Sequence, residues 1–271
     1  MAAATPGDRA RVAAGRVVEE AAGSAAPSAV LGLGRIGAIA RRELTALFVS
    51  PIGWVVAGVF TFLVSGFGFI GSVLAGQRAT MDGVFGVITG FLVLVLIPLI
   101  TMRLLAEERS QGTLELLLTS PVRDWELVTG KWLGAFVFYV ALVATTLVYV
   151  VLLALHTSVD YGLIAASYVG MLLVGAAAIA LGVLTSSLTR NQIIAYLLSL
   201  GVLLVVWYAA FVLAFFTRPP VNLFFDYISG YDRYQAFSLG QVTLRDTVYF
   251  LSLTIGALFV ATRVLESRRW R

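Results

Sequence analysis

Cysteine is absent from the chain, which excludes a disulfide framework, a thiolate nucleophile and any Cys-ligated metal. Histidine occurs once, at His156, and one imidazole without a thiol near it does not make a metal site. Lysine also occurs once. A phosphate-binding P-loop needs Gly-Lys followed by Ser or Thr, whereas Lys131 follows Gly130 and precedes Trp132, so the chain does not hold ATP by that route. Charge of either sign is scarce, at 13% of residues. An intramembrane enzyme or an ion-coupled transporter keeps ionisable groups inside its spans. The long apolar runs here hold none, so no catalytic residue is assigned.

What is present is hydrophobicity: 59% of the 271 residues are apolar, and the mean hydropathy is +0.93. A bilayer core about 30 Å thick takes roughly 20 apolar residues in helix to cross. Five stretches free of charge and histidine reach that length, at 51–77, 83–102, 132–155, 161–189 and 191–217. A sixth, 247–262, is shorter and ends against Asp246 and Arg263, whose side chains can bend toward water. Six crossings put both termini on one side. With that side cytoplasmic, the loops facing out keep only Arg78, Arg218, Arg233 and Arg245 of the 19 basic residues, in keeping with the positive-inside bias. The net charge of +4 is therefore assigned to membrane orientation, and no nucleic-acid partner is expected.

Residues 1–34 carry dispersed charges and no apolar run of signal-peptide length, and read as a mobile cytoplasmic tail. Ile36, Ala40, Leu44, Leu47 and Phe48 then recur at helical spacing, with Arg35, Arg41 and Arg42 on other faces. This predicts a helix lying in the interface, its apolar side toward the acyl boundary, the alternative being a cytoplasmic extension of the first span. Gly86 and Gly90, and Gly130 and Gly134, are spaced for close helix packing without naming a partner. Pro98 removes a backbone donor in the second run and predicts a bend there.

The loop 103–131 mixes charge with a leucine cluster. Gly112 ends one helix, Thr113 can cap a short second one through Leu114, Glu115, Leu116, Leu117 and Leu118, and Pro121 ends it. Asp124 can cap the helix that enters the third span. Leucines on a short helix below a membrane need a surface, either the chain's own bundle or another protein.

The stretch Ile100-Thr-Met-Arg-Leu-Leu-Ala-Glu-Glu-Arg-Ser-Gln-Gly-Thr-Leu-Glu-Leu-Leu-Leu-Thr-Ser-Pro-Val resembles the signature loop of ABC-2 type permeases. Ser50-Pro-Ile-Gly-Trp, Ser186-Ser-Leu-Thr-Arg-Asn-Gln-Ile and the segments from Arg245 and Val264 are similar to its gliding-motility-associated branch. The resemblance covers about residues 35–271. It implies an all-α, six-span permease domain over 35–271 with an N-terminal interfacial helix. It further implies a coupling site at Glu107, Glu108, Arg109, Gly112, Thr113, Leu114, Glu115, Leu116, Leu117 and Thr119. That site would dock on a dimer of ABC ATPase subunits, which supply ATP and Mg; this chain would hold no cofactor. A second permease, identical or related, would complete an exporter in the inner (plasma) membrane, in contact with lipid. An outer-gate segment, 218–245, would carry Phe224, Phe225, Tyr227, Tyr231 and Tyr234, aromatics that fit an interfacial belt equally well. The alternative function is a non-transporting membrane anchor or assembly platform for an ATPase complex.

Overall fold

The computed structural model describes residues 27–75, 80–112, 123–209, 212–213, 216 and 221–269; among them the chain is helical and contains no strand. The first helix, α1 (Pro27–Val49), turns sharply into α2 (Pro51–Leu63), which continues as a π-helix over Val64–Ala75. The Ser50 hydroxyl accepts from the Ile52 amide at 3.3 Å, with Pro51 at the first helical position, where a missing N–H costs nothing. α3 (Asp82–Val87) passes through a π-turn at Ile88–Leu92 into α4 (Val93–Thr101), and α5 (Ala106–Ser110) follows. α6 (Asp124–Thr145) and α7 (Leu147–Ala154) form the third apolar rod, α8 (Tyr161–Leu188) the fourth, and α9 (Gln192–Leu204), with a π-segment at Val205–Ala209, the fifth. Two short helices, α10 (Val221–Ile228) and α11 (Gly230–Ser238), precede α12 (Leu244–Arg269).

Among the described residues, four helical stretches are long and apolar enough to cross a membrane, at Pro51–Val73, Asp124–Ala154, Tyr161–Leu188 and Leu244–Ser267. A fifth is counted if Asp82–Phe91 and Val93–Ser110, bent by 47°, form one crossing. The remaining expected crossing, 191–217, is an apolar helix over Gln192–Tyr208, only about 25 Å of α-helical rise.

α8 is the hub. Of its apolar window, 78% is buried inside the chain, against 22% to 33% for the other three rods. A helix apolar on every side can be buried on every side, and its glycines show by what. A Cβ at Gly170 would strike Phe237 of α11, one at Gly175 the Tyr139 ring of α6, and one at Gly182 the Thr101 side chain of α4. Asp160 caps its first turn, accepting from the Gly162 and Leu163 amides at 2.9 and 3.1 Å.

Several sequence expectations are corrected. α1 begins at Pro27, and Gly32 already packs on Glu126. α1 packs on α6: Ile36, Ala40 and Leu47 of its stripe are buried and Phe48 is half-exposed, and Gly130 and Gly134 of α6 lie against Ile39, Ala40 and Glu43. Gly86 has no atom of the described residues near its would-be Cβ, and Gly90 meets only the Tyr208 hydroxyl at 3.3 Å, so among the described residues the second pair is the one seated on another helix backbone. The 47° bend falls between Phe91 and Val93, next to the π-turn, while Pro98 sits farther along inside α4. Asp124 is the first residue of α6 and not its cap; Glu126 reaches back to accept from the Arg123 amide at 3.0 Å.

Candidate functional site

The three stretches singled out around Ser50, Ile100 and Ser186 converge at one end of α8. Between α4 and α5 the chain makes a tight turn at 102–105, and the Ser186 hydroxyl fills it. It accepts from the Leu105 and Ala106 amides at 3.2 and 3.0 Å and donates to the Met102 carbonyl at 3.2 Å. One buried hydroxyl thereby satisfies backbone donors that the break in the helix would orphan. Arg109 donates to the Ser187 carbonyl at 2.6 Å. Arg103 donates from Nη1 to Ser50 Oγ and from Nε to Glu107, both at 2.9 Å.

Lys131 is the centre of this junction. Its side chain is 1% exposed and its ammonium lies 2.7 Å from Glu43 of α1 and 2.8 Å from Glu108 of α5. A buried ammonium is tolerated only when paired and hydrogen-bonded. Here the pairing ties the N-terminal helix, the segment before residues 113–122 and the helix after them into one unit. Arg35 approaches the buried Glu126 carboxylate at 3.7 Å and adds a second tie between α1 and the start of α6. Gly112, the last described residue before the gap, has φ +72°, a left-handed turn that glycine adopts without strain and that ends the helical run.

A second buried cation stands toward the other end of α8. Arg233 of α11 pairs with Asp246 of α12 at 2.8 Å and donates to the Tyr227 carbonyl at 3.0 Å. Its guanidinium lies 4.5 Å from the centre of the Tyr227 ring and 5.5 Å from that of Tyr249. Asp246 also accepts from Thr243, and the Tyr249 hydroxyl donates to the Ile228 carbonyl at 2.6 Å. Tyr231 and Tyr234 pack on Trp207 of the π-segment, and the Tyr208 hydroxyl donates to the Gly90 carbonyl at 3.0 Å. The short helices are thus stapled to the second, fifth and last rods.

With this arrangement in view, the model of the ABC-2 family transporter proteins matches residues 37–255. The chain belongs to the ABC-2 transporter family. No curated protein matches it. Members of the ABC-2 family are typically non-enzymatic transport subunits, and the family implies partnership with an ABC ATPase. The match is to the family and does not extend to its gliding-motility branch.

Of the expected coupling residues in this ABC-2 chain, Glu107, Glu108 and Arg109 are half-buried struts of the junction, each with partners inside the chain. Gly112 is exposed at its edge. Thr113, Leu114, Glu115, Leu116, Leu117 and Thr119 lie outside the described residues. Of the expected outer residues, Tyr234 is buried, Tyr231 and Phe225 are half-buried, and Tyr227 is exposed beneath the guanidinium groups of Arg233 and Arg245. The side chain of Phe224 lies outside the described residues. Sequence reasoning missed Lys131, Glu43, Ser186, Arg233 and Asp246 as structural centres. An isolated lysine or arginine beside an apolar run is the signal that could have found two of them, since charge placed there needs a partner.

Proposed function

We propose that this chain is the permease subunit of an ATP-driven exporter in the inner (plasma) membrane, with six crossings and both termini in the cytoplasm. The fifth crossing would be completed by residues beyond Tyr208. ATP and Mg would be bound by a dimer of partner ATPase subunits, and a second permease, identical or related, would face this one across the substrate path. The observation that carries the reading is the Lys131 junction. It braces both flanks of the 113–122 segment against α1 and the base of α8, as a segment that receives force from another protein requires. The leucines at 114 and 116–118 would be the docking surface. Glu107, Glu108 and Arg109 would transmit the load inward rather than touch the ATPase directly. Arg233 and its aromatic neighbours would hold the outer gate.

Co-purification of the permease with its ATPase tests the assignment. Leu116→Asp is expected to abolish association, and Glu108→Arg to leave association while uncoupling hydrolysis from transport. Wild-type association together with wild-type coupled hydrolysis in both variants would refute it. ATP hydrolysis that no lipid or substrate changes would favour a non-transporting platform instead.

A further inference from the structure

Among the described residues three segments are wound as π-helix: Val64–Ala75 of the first rod, Ile88–Leu92 of the second and Val205–Ala209 of the fifth. π-turns are rare, and inside α-helices they concentrate at functional sites. Two of these segments meet. The Tyr208 hydroxyl, on the π-segment of the fifth rod, donates to the carbonyl of Gly90, in the π-turn of the second, at 3.0 Å. Glycine leaves room for it, since a Cβ at position 90 would come within 3.3 Å of that hydroxyl. The 47° bend of the second rod falls at the same turn, between Phe91 and Val93.

The two sides of the bend are tied in different ways. Toward the first rod α3 lies backbone on backbone. A Cβ at Gly83 would strike the Gly68 carbonyl at 2.5 Å, and one at Gly68 would meet the Val84 Cα at 3.0 Å. The Ser72 hydroxyl beside them is turned back onto the Gly68 and Phe69 carbonyls, at 2.7 and 3.1 Å. Contact this close makes α3 and the π-helix of the first rod move together. Toward the fifth rod the tie at the bend is the Tyr208 hydrogen bond. α11 reaches it through rings, because Tyr231 stacks on Tyr208 at 6.2 Å and stands edge-on to Trp207 at 6.3 Å. A π-turn holds more residues than an α-turn, so changing one into the other rotates the flanking helix by about 100° for each residue.

We propose that the Tyr208–Gly90 hydrogen bond is a conformational latch. While it is made, the π-turn and the 47° bend persist. When it breaks, the turn rewinds toward α, the bend opens, and α3 carries the π-helix of the first rod away from the fifth. A displacement of α11 acts on the latch through Tyr231. One hydrogen bond biases an equilibrium about two- to tenfold, enough to favour one state without locking it. The inference rests on the packing of these helices and not on the ATPase, so its failure and that of the transport reading are separate results.

The test is pulsed double electron–electron resonance on the full chain in nanodiscs, without an ATPase, spin-labelled at Gly86→Cys and Val169→Cys. Gly86 faces open space on α3, Val169 is exposed on the hub helix α8, and the chain has no cysteine of its own. The parent is expected to show one main distance and a minor second one. Tyr208→Phe keeps the ring and removes the donor, and should raise the ratio of minor to main about two- to tenfold with the thermal midpoint little changed. Gly90→Ala crowds the same hydroxyl from the other side and should raise the same second distance. Combining the two should add nothing to the larger single effect, because both act on one bond. Unchanged distances in both variants overturn the latch, as do two effects that multiply. Broadening of every distance with a lowered midpoint also overturns it, because that is general loosening and not the release of a two-state element.

Discussion

The two ends of α8 each bury a cation, and they solve the problem differently. At the Ser186 end an ammonium is held by two carboxylates, one of them from a distant part of the chain, Glu43 lying 88 positions from Lys131. Toward the Gly170 end a guanidinium is held by one carboxylate only 13 positions away and by tyrosine faces. The first arrangement makes elements far apart in sequence move together, because removing any member strands the others. The second is a local staple whose planar fork and stacked rings fix an angle between short helices and the last rod. Long-range ionic bracing fits a place where force enters. Local aromatic stapling fits a place that opens and closes as one piece.

The contrast is broken most forcefully at Lys131. Lys131→Met leaves two carboxylates in a closed junction and is expected to cost about 3–5 kcal/mol, read as a fall in the unfolding midpoint in detergent. Adding Glu43→Gln and Glu108→Gln to the same protein should recover most of that loss; if it does not, the pairing is not the source of the effect. Next in size is Ser186→Ala. It deprives two buried amides of their acceptor and should cost about 1–3 kcal/mol by the same assay, with protease sensitivity rising at 102–105.

Packing separates the two glycine pairs. Gly134→Leu drives a side chain into Ala40 and Glu43 and should destabilise by about 1–3 kcal/mol, while Gly86→Leu should change the midpoint little. Similar effects from both would show that α1 is not seated on α6. The smallest effect belongs to the other end. Arg233→Lys keeps the charge but loses the fork and the stacking, at about 0.5–2 kcal/mol, and should leave association with the ATPase intact.

These residues also show what the sequence could tell. Uncharged runs located the apolar rods, but their ends were set by pairing that a linear reading cannot see. The third uncharged run stops at Lys131, but the helix read from Asp124 into that run is α6; what the sequence did not show is that Lys131 and Glu126 within it are buried and matched by other helices. The last run looked short at 247–262. It extends over Leu244–Arg269 because Asp246 is matched by Arg233 and Arg263 by Glu266 at 2.7 Å. The stripe on α1 was read correctly as helical, but periodicity gives a buried face and not what covers it. The glycines of α6 supplied that answer only in three dimensions. In the loop 103–131 the helix end at Gly112 was legible from its own residues, but the bracing through Ser186 joins positions 80 and 81 apart.

The central claim is that the 113–122 segment faces the cytoplasm and receives the ATPase. Because the chain has no cysteine, Thr119→Cys gives a single reporter without further engineering. A membrane-impermeant maleimide should leave it unlabelled in intact cells, label it in inside-out vesicles stripped of the ATPase, and be blocked when the ATPase is restored. Labelling from the outside of intact cells, or labelling in vesicles that the ATPase does not diminish, would contradict the account.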